Sequence, residues 1–136
     1  PGEANFWHAR MAPHTIDPLQ KESFPLVQSL IDQYMPCFDS EYFNICCDET
    51  FDLRRYGEAG LDVGKIYVSF VDKIISHVKE KGKKVMMWAD ILLEHPEVIP
   101  DLPEDTLFLN WYYHPDLEQI EEKVSPDGTV GFSSLY

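Results

Sequence analysis

Tyr42-Phe43-Asn44-Ile45-Cys46-Cys47-Asp48-Glu49-Thr50 is the stretch on which the reading of this chain turns. Residues 42–47 form a largely apolar run rich in aromatic and branched side chains, and a run of that length and composition predicts a buried strand. It stops abruptly on two adjacent carboxylates. In α/β proteins the chemistry gathers at the carboxyl ends of parallel strands, so Asp48 and Glu49 fall where catalytic groups are found. Two acids there, one holding a proton and one kept charged, suit cleavage of a glycosidic bond. The same dipeptide also caps helices that follow strands, and that alternative stays open.

Working outward, residues 1–17 show no clear period and read as a loop containing Trp7, His8, Pro13 and His14. A helix is expected over 21–34, because Phe24, Val27, Leu30, Ile31 and Tyr34 recur at three- and four-residue spacing. Pro25 fits only its first turn, and Pro36 ends it. Residues 50–61, with Arg54, Arg55, Gly57 and Gly60, read as a loop; the arginine pair suits a surface turn better than an anion site. A long helix follows over 63–81, with Ile66, Phe70, Ile74 and Val78 as its apolar face and Val71 and Ile75 beside it. Gly82 is a good left-handed stop, and the lysines near it suit the negative helix end.

A second strand is expected over 84–88, Lys-Val-Met-Met-Trp, and a third over 106–112. A short helix lies between them, broken by Pro96, Pro100 and Pro103. A further helix over 117–124 and a weak strand over 129–135 complete the pattern. Strands separated by helical crossovers pair in parallel. Two architectures fit: a doubly wound open sheet, or an arc of a (β/α)8 TIM barrel. No glycine-rich phosphate loop follows any strand, which disfavours a nucleotide-binding sheet. A whole barrel needs about 250 residues. This chain has 136, enough for about four of the eight strands, and its opening Pro1-Gly2-Glu3 looks like a cut inside a larger protein. Residues 1–136 therefore read as one partial domain, truncated at both ends.

The bulk composition narrows the partners. Apolar residues make up 44% of the chain, enough for a core, and aromatics 13%, enough to wall a sugar site. The formal charge is −13, from 11 basic and 24 acidic residues. That excludes the basic footprint that nucleic acid or an anionic membrane surface requires. No run of about 18 apolar residues signals a membrane-spanning helix. Cys37, Cys46 and Cys47 form neither a disulfide framework nor a Cys-x-x-Cys metal motif. Cys46 and Cys47 read as small buried hydrophobes, and free thiols favour a reducing, cytoplasmic setting. His8, His14, His77, His95 and His114 lack the helical spacing of a metal pair.

Each strand ends on groups able to build a site. The first ends on Asp48-Glu49, the second on Trp88-Ala89-Asp90 and the third on Asn110-Trp111-Tyr112. A parallel sheet would cluster all of them along one edge. Indoles and phenols stack on sugar faces while their polar tips bond hydroxyls; core packing is the alternative for each Trp, and helix capping for Asp90.

At these residues the chain resembles glycoside hydrolase family 20, the β-N-acetylhexosaminidases. Phe43-Asn44-Ile45-Cys46-Cys47-Asp48-Glu49-Thr50-Phe51 resembles the family's catalytic segment, a strand ending in Asp-Glu. Lys84-Val85-Met86-Met87-Trp88-Ala89-Asp90 resembles the next strand, and Leu109-Asn110-Trp111-Tyr112 the one after. His14-Thr15-Ile16-Asp17-Pro18 is similar to the lead-in of bacterial members. The likeness covers most of the chain, in the family's order.

The resemblance implies a (β/α)8 barrel and retaining, substrate-assisted hydrolysis of terminal β-linked N-acetylhexosamine. In that scheme the substrate's own 2-acetamido oxygen attacks the anomeric carbon, an exception to the usual two-carboxylate mechanism. Glu49 would be general acid, then base, and Asp48 would stay ionised and orient the acetamido group. Trp88 and Trp111, with Tyr112 and Asp90, would bind the amino sugar; no metal or organic cofactor is implied. The chain departs from the family where Cys46-Cys47 stands in place of small, glycine-like residues, and where Arg54-Arg55-Tyr56-Gly57 replaces a more glycine-rich loop. Strands expected before and after this segment are absent. The isolated segment is therefore expected to be weakly active or inactive, with exposed strand edges that invite pairing with another copy. Rival readings are a non-catalytic carbohydrate-binding or scaffold module, and a barrel hydrolase that uses the same carboxylates around a metal.

Overall fold

The structure, a computed structural model, describes residues 15–111. Its centre is a parallel sheet of three strands in the order β1-β2-β3: β1 is Tyr42–Asn44, β2 is Lys84–Trp88 and β3 is Leu107–Leu109. Tyr42, Phe43 and Asn44 pair with Lys84, Val85 and Met86, and Met86, Met87 and Trp88 pair with Leu107, Phe108 and Leu109. The helices are α1, Ser23–Tyr34; α2, Arg54–Glu58; α3, Val63–Glu80; and α4, Asp90–Glu94. Parallel neighbours joined through helices are the repeating unit that the sequence pattern predicts.

Side chains alternate across a strand, so one face of the sheet receives Phe43, Val85 and Met87 and the other Tyr42, Asn44, Met86 and Trp88. The first set is buried in the core with Val71, Ile74, Ile75 and Val78 of α3; Met87, Ile75 and Val78 are 0% exposed. The second set is only half-buried. This asymmetry is that of a barrel wall, whose outer face meets helices and whose inner face meets the rest of the barrel.

α3 begins where Asp62 accepts the Lys65 N–H at 3.0 Å and ends before Gly82, whose φ of 80° is the left-handed stop expected there. Its buried stripe runs through Tyr67, Val68, Val71, Ile74, Ile75, His77 and Val78. Ile74 and Val78 of the expected face are buried with Val71 and Ile75, whereas Ile66 and Phe70 are only half-buried and Tyr67, Val68 and His77 join instead. The reason is that α3 packs on two surfaces, the sheet and α1, so its buried arc is wide enough to take in a tyrosine and a histidine. At the α1 contact, His77 sits 6% exposed. Its Nε2 lies 2.8 Å from Asp32 Oδ1 and its Nδ1 3.1 Å from Gln28 Nε2.

Several boundaries differ from expectation. Residues 50–61, read as a loop, carry a 3-10 turn at Phe51–Leu53 and then α2. Leu53 is buried and anchors the segment, so the paired arginines lie on a short helix rather than an open turn. β1 and β3 are shorter than their apolar runs. The helix expected over 117–124, the strand over 129–135 and Tyr112 lie outside the described residues. Among the described residues, no helix is long and apolar enough to cross a membrane.

Candidate active site

The parallel ladder runs two residues past the end of β1. The Ile45 N–H donates to the Met86 carbonyl at 2.9 Å, and the Trp88 N–H donates to the Cys46 carbonyl at 3.0 Å. The backbone then leaves strand geometry: φ is 60° at Cys46, 67° at Cys47 and 51° at Glu49. This is why the strand stops short of its apolar run. Each left-handed L-residue costs roughly 1–2 kcal/mol, so the turn needs external support.

Three side chains supply it. Asn44 Oδ1 accepts the Cys46 N–H at 2.8 Å, the Tyr67 hydroxyl donates to the Cys47 carbonyl at 2.8 Å, and Asp90 Oδ2 accepts the Glu49 N–H at 2.8 Å. They come from β1, α3 and α4, so the turn is bonded from three directions. Sequence reasoning missed Asn44 and Tyr67 in these roles. Tyr67 fits the spacing 67–71–74–78 as well as Ile66 fits its own, and a tyrosine on a buried stripe is the signal that a hydroxyl needs a partner.

On this turn Asp48 is half-buried and Glu49 exposed. Asp90, the first residue of α4, faces the turn: burial pushes its carboxyl above the usual range, the Glu49 and Ile91 N–H groups oppose that, and the charge of Asp48 adds to it. Its other oxygen, Oδ1, is buried without a hydrogen-bond partner among the described residues. Asp90 does not provide the side-chain cap that sequence allowed, since the N-cap of α4 is Ala89 with no side-chain bond.

The thiols are not nucleophiles here. Burial, with the charges of Cys46, Asp48 and Asp90, pushes Cys47 up to about 12. Burial and Asp48 push Cys46 up as well, although its side chain is exposed. Burial raises the Tyr67 hydroxyl too, so it stays a donor.

Trp88 closes β2 and Trp111 lies just past β3. Their rings meet edge to face, with centroids 5.5 Å apart and planes at 71°. The ladder ties them to the acids: Trp88 bonds Cys46, and the Ala89 N–H donates to the Leu109 carbonyl at 2.9 Å. Both acids and both indoles thus lie along the carboxyl edge of one sheet. A cavity of about 290 Å³ opens on the helix side of the turn, lined by Asp48, Thr50, Tyr67 and the apolar side chains of Ile45, Phe70 and Ile74. Glu49 and the two indoles are outside it. Among the described residues, no three His, Cys, Asp or Glu side chains gather as metal ligands.

No protein-family model matches the chain. Among curated proteins it is similar to a lacto-N-biosidase of Bifidobacterium bifidum, 26% identical over 138 residues, covering 82% of this chain and 12% of that protein. It is also similar to Hexosaminidase D of Bos taurus, 29% identical over 123 residues, covering 78% of this chain and 34% of the relative. Among solved structures, Dispersin B superposes on 89% of this chain and 35% of its own, with a TM-score of 0.64 and 21% identity. A GH20 exo-β-N-acetylglucosaminidase from Vibrio harveyi, in complex with N-acetylglucosamine, covers 72% of this chain and 16% of its own, with a TM-score of 0.53 and 16% identity.

The class follows from these matches together with the sheet: the described residues, three parallel strands alternating with helices, match part of a (β/α)8 barrel. The chain is a distant relative of the glycoside hydrolase family 20 hexosaminidases and lacto-N-biosidases. The chain spans about 12% and 34% of the two curated relatives named here.

Proposed function

We propose that this chain carries the acid-bearing strand and part of the pocket wall of a glycosidase that removes terminal β-linked N-acetylhexosamine, GlcNAc or GalNAc. The observation behind this reading is the left-handed turn that sets Asp48 and Glu49 at the sheet edge also occupied by Trp88 and Trp111. In the reaction, Glu49 gives its proton to the leaving glycosidic oxygen while the substrate's acetamido oxygen bonds to the anomeric carbon. Asp48, kept ionised, accepts the acetamido N–H and balances the positive charge that develops on that nitrogen. Glu49, now a carboxylate, removes a proton from water, which opens the cyclised intermediate with net retention. Trp88 and Trp111 give the sugar an apolar wall, and Tyr112 is a further candidate for binding it. The chemistry calls for no metal or organic cofactor.

The test is release of nitrophenol from the 4-nitrophenyl N-acetyl-β-glucosaminide and its galacto epimer, with binding of a thiazoline analogue of the cyclised intermediate measured in parallel. Residues 1–136 are expected to bind the thiazoline and to turn over slowly or not at all, and the substitutions are read in the intact enzyme where the segment alone is inactive. Glu49→Gln is expected to abolish turnover while thiazoline binding survives, and Asp48→Asn to weaken both. A chelator is expected to change nothing. Absence of thiazoline binding, or turnover indifferent to both substitutions, refutes the proposal.

β1 is one of the two outer strands of the described sheet, and Leu30, Tyr34 and Phe38 near it are exposed. An unpaired edge of this kind favours strand addition from a second copy. Sedimentation is expected to show a concentration-dependent dimer; a monomer throughout removes the copy as partner.

A further inference from the structure

We propose that Asp90 is a positioning residue for the acid turn, not a sugar ligand: its carboxylate holds the Glu49 backbone and so fixes how the Asp48–Glu49 pair is presented. The inference rests on the function proposed above.

Three observations carry it. Asp90 is 41 residues away from Glu49 in sequence, yet its Oδ2 accepts the Glu49 N–H at 2.8 Å. Glu49 has a φ of 51°, a conformation that a glutamate does not adopt without help. Oδ2 of Asp90 is engaged by the turn, and Oδ1, which has no hydrogen-bond partner among the described residues, is buried away from solvent. A charged acceptor on a backbone N–H makes a stronger bond than a neutral one. Asp90 starts α4 directly after β2, so the carboxylate is mounted on the strand that also carries Trp88. The brace thus links the general acid to the indole wall, and one element sets both.

Ionisation of Asp90 should be visible at the amide it holds. The groups facing it are Asp48 on the turn, the Cys47 thiol and the Tyr67 hydroxyl of α3, with the Glu49 and Ile91 N–H groups. The experiment follows the backbone amide of residue 49 by NMR across acid pH. It is done in the Glu49→Gln chain, so that the residue's own carboxyl does not contribute. The amide is expected to move downfield as Asp90 ionises, with a midpoint that falls when Asp48→Asn is added. Adding Asp90→Asn is expected to abolish the transition but keep the amide partly downfield, because the carboxamide oxygen still accepts. Adding Asp90→Ala is expected to return it to an ordinary position.

In the otherwise unaltered chain, Asp90→Ala is expected to lower kcat about 10- to 100-fold with little change in KM, and Asp90→Asn to recover most of the loss. An amide that ignores both Asp90 substitutions overturns the brace, and so does a loss confined to KM, which would put Asp90 on the sugar. Absence of turnover in the parent chain is the outcome expected of a segment short of its barrel and leaves the brace to the amide titration, whereas failure to bind the thiazoline would count against the hexosaminidase reading.

Discussion

Replacing Cys46 with glycine is expected to stabilise the protein, an unusual result for a residue beside a candidate active site. The side chain at 46 is exposed, and both backbone groups are bonded, the N–H to Asn44 and the carbonyl to Trp88. Neither bond involves the side chain. At φ 60° the β-carbon costs roughly 1–2 kcal/mol, which glycine removes. Against this stands the larger freedom of glycine in the unfolded chain, about 0.5–1 kcal/mol. The difference favours Cys46→Gly by about 0.5–1 kcal/mol, or roughly 2–3 °C in Tm for a domain of this size. Cys46→Ala keeps the β-carbon and should stay near the parent. Cys46→Val adds branching that the left-handed region tolerates poorly and should cost about 1 kcal/mol or more. Urea unfolding under reductant, with the m-value held equal across the series, reads the order Gly, then Cys and Ala, then Val. A glycine variant less stable than the parent, with valine tolerated, would mean that the turn does not exist as described. Cys47 is the internal contrast. Its φ is 67°, but its thiol is partly buried and bonds the Ile45 carbonyl at 3.3 Å, so the relief at Cys47→Gly is offset by a void and the net effect is near zero.

Gly64→Ala should destabilise the fold by about 1 kcal/mol despite alanine's better helix propensity, because the added carbon would sit 2.9 Å from Val98 Cγ1; thermal unfolding checks it, and a rise in Tm would show that α3 and the 96–101 turn can separate. Met87→Ala, at 0% exposure beneath α3, should cost about 2–5 kcal/mol in denaturant unfolding, and a cost under 1 would argue against this core. Iodoacetamide at neutral pH should label Cys37 before Cys46, and Cys47 only on unfolding, with mass spectrometry giving the order. Cys47 also sets an alkaline limit. The folded thiol keeps its proton up to about 12 while the unfolded one loses it near 9. The unfolded state therefore binds fewer protons in that window, and stability falls between those values by up to about 1.4 kcal/mol per pH unit. Cys47→Ala should flatten that slope in urea titrations.

The sequence pattern announced the sheet because its strands obey the simplest rule available: short apolar runs between helical periods. β2 matched its expected span residue for residue, since Lys84 and Ala89 bound it with a clear change of character. β1 did not, because two of the three side chains that set the turn at residues 46–49, Tyr67 and Asp90, are distant in sequence. Neither Tyr67 nor Asp90 announces itself as a partner of that segment. The same holds for His77, which no periodicity could tell from a solvated histidine until α1 brought Asp32 and Gln28 against it. Helix α2 was hidden for a different reason: it is only five residues long and contains Gly57, a poor helix former, so it shows no period, and the buried Leu53 beside it folds the segment. Local signals were legible, and contacts spanning 20 to 49 residues were not.

The residues that defeat a pattern-based reading are the ones on which the proposed chemistry depends, and strand geometry explains why. Successive side chains along a strand point to opposite faces, so two adjacent carboxylates on a regular strand could not serve one sugar. Asp48 and Glu49 can cooperate only if the backbone breaks that alternation between them. The left-handed residues at 46, 47 and 49 are such a break, and it is unfavourable enough to need the bonds from Asn44, Tyr67 and Asp90. Conflict between local preference and native conformation is the expected mark of a functional segment. Here the conflict sits at the sheet edge that carries both the acids and the indoles, and the long-range bonds that resolve it tie the turn to the helices behind it. Loosening those bonds should therefore impair catalysis before it impairs folding, which separates the turn from an ordinary connection of the same length.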